Sequence, residues 1–311
     1  MNVERPIKRS FHLGFHLRLA LAVAVIILFI IWGCYDTHIV VRDLAGSLIA
    51  FVVVMAGIQA LPVYWHSKGK ADKSNAAWTI PWFGAFLIIL PYMQDIAARL
   101  GRNRILQDEN FMRIDQALGV SVPSMIQWAS HHTIGTVAYY SYFLLVPYMF
   151  FAFLLPALTG RVKAAQQFIA ANFFAMFIST PLFGLYPAVG PWYGYHFAGG
   201  IGEVQCQNDL LALRETAVYL HHRVGVVSFP SGHTLEAILC CYALWNVRFL
   251  RIPAIVLSSL IIYSTMTTGW HYFFDVLGGA FVAVLSIYIA RWFDRWDERA
   301  RAARLSAEHA A

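Results

Sequence analysis

The chain has 311 residues, of which 59% are hydrophobic, 15% aromatic and 13% charged, with a mean hydropathy of +0.57. A soluble domain carries about 25% charged residues, so roughly half of the usual solvating charge is missing. That excludes disorder, a collagen-like chain and a small disulfide scaffold, and it does not fit an ordinary cytosolic enzyme. The net charge of +6 invites nucleic acid as a partner, but the basic residues form neither a stripe nor an arm, and none is expected.

A bilayer core takes about 20 mostly apolar residues per helix. Eight stretches meet or approach that length: 17–35, 44–65, 77–95, 134–157, 165–188, 232–250, 252–269 and 271–292. The N-terminal basic start and apolar run 19–33 lack a clear small-residue cleavage site, so a retained first helix is expected rather than a signal peptide. The expected fold is therefore all-α, a polytopic membrane helix bundle of about eight spans.

The connections orient it. With the N-terminus in the cytoplasm, the inner segments hold Arg5, Lys8, Arg9, Arg18, Lys68, Lys70, Lys73, Arg161, Lys163, Arg248, Arg251, Arg291, Arg295, Arg299, Arg301 and Arg304. Only Arg42, Arg99, Arg102, Arg104, Arg113, Arg214 and Arg223 remain outside. Short basic inner loops place both termini in the cytoplasm. Two outer connections are longer than a turn requires. Residues 96–133 mix charge with apolar positions and suit an interfacial helix or a packed cap. Residues 189–231 are rich in Gly, Tyr and His, and long ordered loops usually carry function.

That second loop ends in Pro230-Ser231-Gly232-His233-Thr234, at the mouth of the sixth stretch. Pro230 and Ser231 are helix-start residues, and Gly232 permits close backbone approach. The N–H groups of Gly232, His233 and Thr234 would form an anion site at a helix N-terminus. The last stretch opens with His271-Tyr272-Phe273-Phe274-Asp275, and its i, i+4 spacing puts His271 and Asp275 on one helical face. Asp275 would then hold His271 Nδ1–H and leave Nε2 free as nucleophile or base. In an eight-span topology both motifs fall at the outer ends of their helices. Ionisable groups at that depth are a functional signal.

Pro-Ser-Gly-His followed by a His-x-x-x-Asp helix resembles the type 2 phosphatidic acid phosphatase (PAP2) superfamily, over about residues 134–292. The resemblance implies that His271 attacks phosphorus to give a phosphohistidine, Asp275 orients it and His233 protonates the leaving oxygen. It further implies that Ser231 and the Gly232 backbone bind phosphoryl oxygens. The chain lacks the family's Lys-x6-Arg-Pro motif, and Thr265 stands where the family carries Arg six residues before the nucleophile. The runs Ser264-Thr265-Met266, His271-Tyr272-Phe273 and Gly190-Pro191-Trp192-Tyr193 are closer to fungal inositol-phosphorylceramide synthases. Sphingomyelin synthases share the Ser-Gly-His-Thr and His-x-x-x-Asp motifs.

Fewer cations suit a phosphodiester, a monoanion, better than a nearly dianionic monoester. Arg214 and Arg223, in the same outer loop, are the candidate replacements. On this reading 1–76 adds two transmembrane helices, 77–292 is the catalytic core and 293–311 a cytoplasmic tail. The expected reaction passes a phospho group from a membrane lipid to a hydroxyl-bearing acceptor at the periplasmic or lumenal face. A lipid phosphate phosphatase is the alternative, and a transporter or scaffold keeping the fold is a third reading; the lipid, the acceptor and the oligomeric state stay open. No cofactor or metal is expected. The adjacent pairs His131-His132 and His221-His222 do not share a helical face, and Cys34, Cys206, Cys240 and Cys241 form no ligand spacing. Tyr186, Trp192 and Tyr193 read as interface aromatics.

Overall fold

A computed structural model describes residues 13–37, 57, 60–215 and 228–310, and all regular structure among them is helical. In chain order the helices are α1 (Leu13–Thr37), α2 (Ala60–Ser67), α3 (Ala71–Ala77), α4 (Ile80–Leu100), α5 (Asp108–Ala117), α6 (Val122–Ser130) and α7 (Thr133–Phe143). There follow α8 (Leu145–Leu158), α9 (Val162–Leu185), α10 (Pro191–Gly194), α11 (Ile201–Glu215), α12 (Gly232–Leu244), α13 (Arg251–Thr267) and α14 (Phe273–Ala310).

Among the described residues, five helical segments are long and apolar enough to cross a membrane: Phe15–Asp36, Ala71–Leu100, Val162–Leu185, Arg248–Thr267 and Phe273–Trp296. The stretch expected as one span over 134–157 is broken at Leu144, where α7 and α8 meet at 58°. Pro147 explains the break, since its ring collides with the carbonyl four residues earlier, at Phe143, and it has no N–H to donate. Most of the expected second span, 44–65, lies outside the described residues.

The sixth stretch differs more. Residues 232–250 yield only the 13-residue α12, then a 3-10 turn at Arg248–Leu250. Thirteen residues rise about 20 Å, less than a hydrocarbon core of about 30 Å, and the residues that follow, Trp245 and Asn246, complete the path to Arg291 and Arg295. α12 packs against α8, α9, α13 and α14, with Leu235, Ala237, Leu239, Cys240, Ala243 and Leu244 buried. Its apolar character serves burial among neighbouring helices, which hydropathy cannot tell from burial in lipid. Around it, Phe83 of α4 stacks on Phe153 of α8 at 4.4 Å, and both approach Phe168 of α9 at 6.2 Å. The last helix runs past 292 to Ala310, so 293–310 continues α14.

The segment 96–133 forms a packed cap, with α5 against α10 and α14 and α6 against α7 and α13. On α5 the buried residues are Asp108, Phe111 and Asp115, one stripe at helical spacing. Phe111 packs against Phe229, Phe274 and Tyr272 with ring centroids 5.1, 5.2 and 6.0 Å away. The cap therefore sits directly on the two loops that carry the histidines.

Candidate active site

The Pro-Ser-Gly-His loop lies against the start of α14. Ser231 N–H donates to the Asp275 carbonyl at 3.0 Å. Gly278 and Gly279, one turn further along α14, permit this approach. A methyl group on Gly278 would press on the Phe229 ring, and one on Gly279 would meet the Ser231 carbonyl oxygen and lie 3.1 Å from Thr234 Cβ. Two small residues thus bring two motifs, forty residues apart in sequence, within backbone contact.

His233 and His271 line one cavity of about 310 Å³, their ring centroids 6.1 Å apart. His233 stacks on Tyr142 of α7 at 4.0 Å. Tyr142 lies parallel to Trp270 at 5.9 Å, and Trp192 meets Trp270 edge-on at 5.6 Å. Trp192 is 4% exposed, so it is a packed support of this aromatic row, not the interface aromatic expected. Tyr186 and Tyr193 are exposed.

His271 and Asp275 are both buried, with Nδ1 3.4 Å from Oδ2, longer than a hydrogen bond of good geometry. Asp275 Oδ2 instead accepts Ser228 Oγ–H at 2.7 Å and Tyr272 N–H at 3.0 Å. His271 Nδ1 and Asp275 Oδ1 have no hydrogen-bond partner in the resting arrangement. Such catalytic contacts commonly tighten when substrate binds. The backbone of His271 is pinned by its N–H on the Thr265 carbonyl at 3.0 Å, so Thr265 supports the His271 loop through its main chain.

Two carboxylates of α5 complete this support, and nothing in the sequence singled them out. Asp115 caps α14, accepting Phe273 N–H at 2.8 Å and Phe274 N–H at 2.9 Å. Asp108 accepts Val189 N–H at 3.0 Å, Gly190 N–H at 2.8 Å and Tyr272 O–H at 3.1 Å. Gly190 sits at φ +145°, a conformation that side-chain-bearing residues rarely adopt, and its carbonyl accepts a second bond from Tyr272 O–H at 3.0 Å. The Gly190-Pro191-Trp192 segment is thereby a brace for the His271 loop. Burial pushes the Asp115 carboxyl up to about 6, against the pull of its two N–H donors, with Asp275 adding to the rise. Burial likewise raises Asp108.

The expected phosphate ligands divide. Gly232 lines the cavity, and a methyl group on it would meet nothing within 4 Å, so space there is open to a ligand. The N–H groups of Gly232 and His233, the first two of α12, have no intrahelical acceptor. Thr234 N–H is capped by Ser231 Oγ at 3.3 Å, and the buried Ser231 side chain serves as helix cap. Arg214 is a strut: its guanidinium donates to the carbonyls of Gly101, at 3.0 Å, and Arg104, and it does not line the cavity. Burial also lowers its pKa. Arg223 and His221-His222 lie outside the described residues. Among the described residues no Lys or Arg lines the cavity.

This arrangement places a fixed imidazole, a second imidazole and a helix N-terminus around one space, the equipment for displacement at phosphorus. The family model for the PAP2 superfamily matches residues 109–289, which takes in α5 of the cap as well as both histidine motifs. No curated protein matches the chain, and no solved structure does. With the match covering more than half of its length, the chain belongs to the PAP2 superfamily of membrane phosphatases and phosphotransferases.

Proposed function

We propose that the protein is a lipid phosphotransferase that cleaves a lipid phosphodiester through a phosphohistidine on His271 and passes the phospho group to a hydroxyl acceptor. The observation that carries this reading is the pair of histidines on one cavity, 6.1 Å apart, with Asp275 beside the Nδ1 face of His271. At that separation both rings can reach one bound phosphoryl group, His271 as nucleophile and His233 as acid. His271 Nε2 attacks phosphorus and the bond to the leaving oxygen breaks. His233 gives its Nε2 proton to that oxygen. In the second half, the acceptor oxygen attacks phosphorus, its proton passes to His233, and the P–N bond breaks. Asp275 stabilises the charge that builds on His271 and fixes its tautomer. The N–H groups at the start of α12 face the phosphoryl oxygens.

A diester is preferred because the cavity wall contains no Lys or Arg among the described residues. A monoester would bring nearly a second negative charge with little to offset it. Hydrolysis is the second reading, since the chemistry is common up to the covalent intermediate and only the acceptor differs. The site is assigned to the outer face of the membrane, with both termini inside. Support comes from Arg161, Lys163, Arg291 and Arg295, which gather at the opposite end of the bundle.

The test is purified protein with radiolabelled phosphatidic acid and labelled phosphatidylinositol, with and without an added alcohol. Label transferred from the diester to the alcohol is the expected result. Inorganic phosphate released from phosphatidic acid in water, with no transfer product, would replace transfer by hydrolysis.

A further inference from the structure

The cavity beneath the histidines contains polar groups that the phosphoryl chemistry leaves unused. Glu236 lies one turn below His233 on the same face of α12, is 8% exposed, and its Oε2 has no hydrogen-bond partner. Thr180 of α9, 7% exposed, likewise leaves Oγ1 without a partner. Both side chains line the cavity that His233 and His271 line, together with Gln94 and Ser179. Buried polar atoms are almost always hydrogen-bonded, so two orphans lining one cavity require an explanation. The rest of the wall is apolar, formed by side chains such as Phe86, Leu90 and Met149.

We propose that Glu236 and Thr180 form the subsite that binds the hydroxyl of the acceptor, and that the acceptor is an alcohol with a largely apolar body. This inference rests on the transfer reading of the same site. A hydroxyl is donor and acceptor at once. It donates to Glu236 Oε2 and accepts from Thr180 Oγ1–H, which satisfies both orphans with a single group. An ionised Glu236 would repel a phosphoryl oxygen, and among the described residues no Lys or Arg lines the cavity to offset it. The apolar remainder of the lining gives water few further partners and gives the body of an alcohol its contact surface. Glu236 is thus a positioning residue. It holds the alcohol one helical turn from His233, and the O–H turns from Glu236 Oε2 to His233 as the alcohol oxygen attacks phosphorus in the second half-reaction.

The experiment uses the full chain in detergent, ³²P-labelled phosphatidylinositol as donor and 1-octanol as acceptor, with glycerol as the polar comparison. Glu236→Ala and Thr180→Val are expected to raise the KM for octanol about tenfold or more, while covalent labelling of His271 falls far less. Glu236→Gln, which keeps a carbonyl acceptor, recovers part of the loss. Equal KM values in all variants, or labelling and transfer lost in parallel, would overturn the subsite. Absence of covalent label in the wild type would contradict the proposed function instead, and a second arm then tests the subsite alone. Dicyclohexylcarbodiimide is allowed to react with Glu236 and the adduct is read by mass spectrometry. Octanol is expected to slow the reaction in the wild type but not in Thr180→Val, and absence of protection by octanol would overturn the proposal.

Discussion

Gly279→Ala tests how the two histidine motifs are held together. Gly279 lies on α14 where the helix touches the Ser231 carbonyl, and an added methyl group would press on that oxygen and on Thr234 Cβ, 3.1 Å away. A relaxed C···O contact needs about 3.3–3.6 Å, so the loop must retreat by roughly 1 Å. The retreat stretches the Ser231 N–H bond to the Asp275 carbonyl, now 3.0 Å, and shifts His233 relative to His271. Overpacking of this kind costs about 1–3 kcal/mol, which lowers the unfolding midpoint without abolishing the fold. A displacement of roughly 1 Å between catalytic groups costs about 100-fold in rate. The assay is transfer from labelled phosphatidylinositol by detergent-solubilised protein, with intrinsic-fluorescence unfolding to confirm that the variant is folded. A folded Gly279→Ala protein with activity within twofold of the wild type would refute the claim that this contact sets the geometry.

Three further outcomes are expected. His233→Ala should slow turnover of lipid esters strongly but that of p-nitrophenyl phosphodiesters much less, because the nitrophenolate leaves without a proton. Equal losses on both substrates would deny His233 its role as acid. Asp115 has its carboxyl raised from 3.8 to about 6 by burial. The unfolded chain therefore releases this proton first as pH rises, and between about 4 and 6 the folded state binds more protons and loses stability. The stability of the wild type relative to Asp115→Asn should fall across that window, read by denaturant titration, and a flat or rising difference would contradict the assignment. Asp275→Asn should lower the rate of His271 labelling by orders of magnitude, since the amide no longer stabilises the imidazolium. Labelling within a fewfold of the wild type would remove Asp275 from the mechanism.

The parts of the site carried by local spacing were legible. His233, His271 and Asp275 lie within two short motifs, and the alternation of apolar stretches and short connections implies that both open at one end of the bundle. What brings them into contact was not legible. Gly278-Gly279 reads as two more small residues in an apolar helix until the Ser231 carbonyl is seen against it. Asp108 and Asp115 look like solvated charges of an amphipathic segment, because a single carboxylate carries no record of the backbone N–H groups it will meet across 80 or more residues. Arg214 shows the same ambiguity: a guanidinium that braces carbonyls, as this one does at Gly101 and Arg104, and one that holds phosphate have the same sequence signature. The helix α12 is shorter than the apolar stretch that contains it, and hydropathy hides this because the bundle interior and the bilayer select the same side chains. Glu236 does carry a signal in the sequence, as an acidic residue amid the apolar run 235–245 is expensive unless used.

The central claim is a covalent phosphate on His271. The direct measurement is to mix the protein with lipid donor carrying ³²P, quench in alkali within the first turnover, and map the label by peptide mass spectrometry. The account predicts an alkali-stable, acid-labile label on the peptide carrying His271, absent in His271→Ala and carried to product when alcohol is added. Product formation by the wild type with no label on His271, or undiminished turnover by His271→Ala, would contradict it.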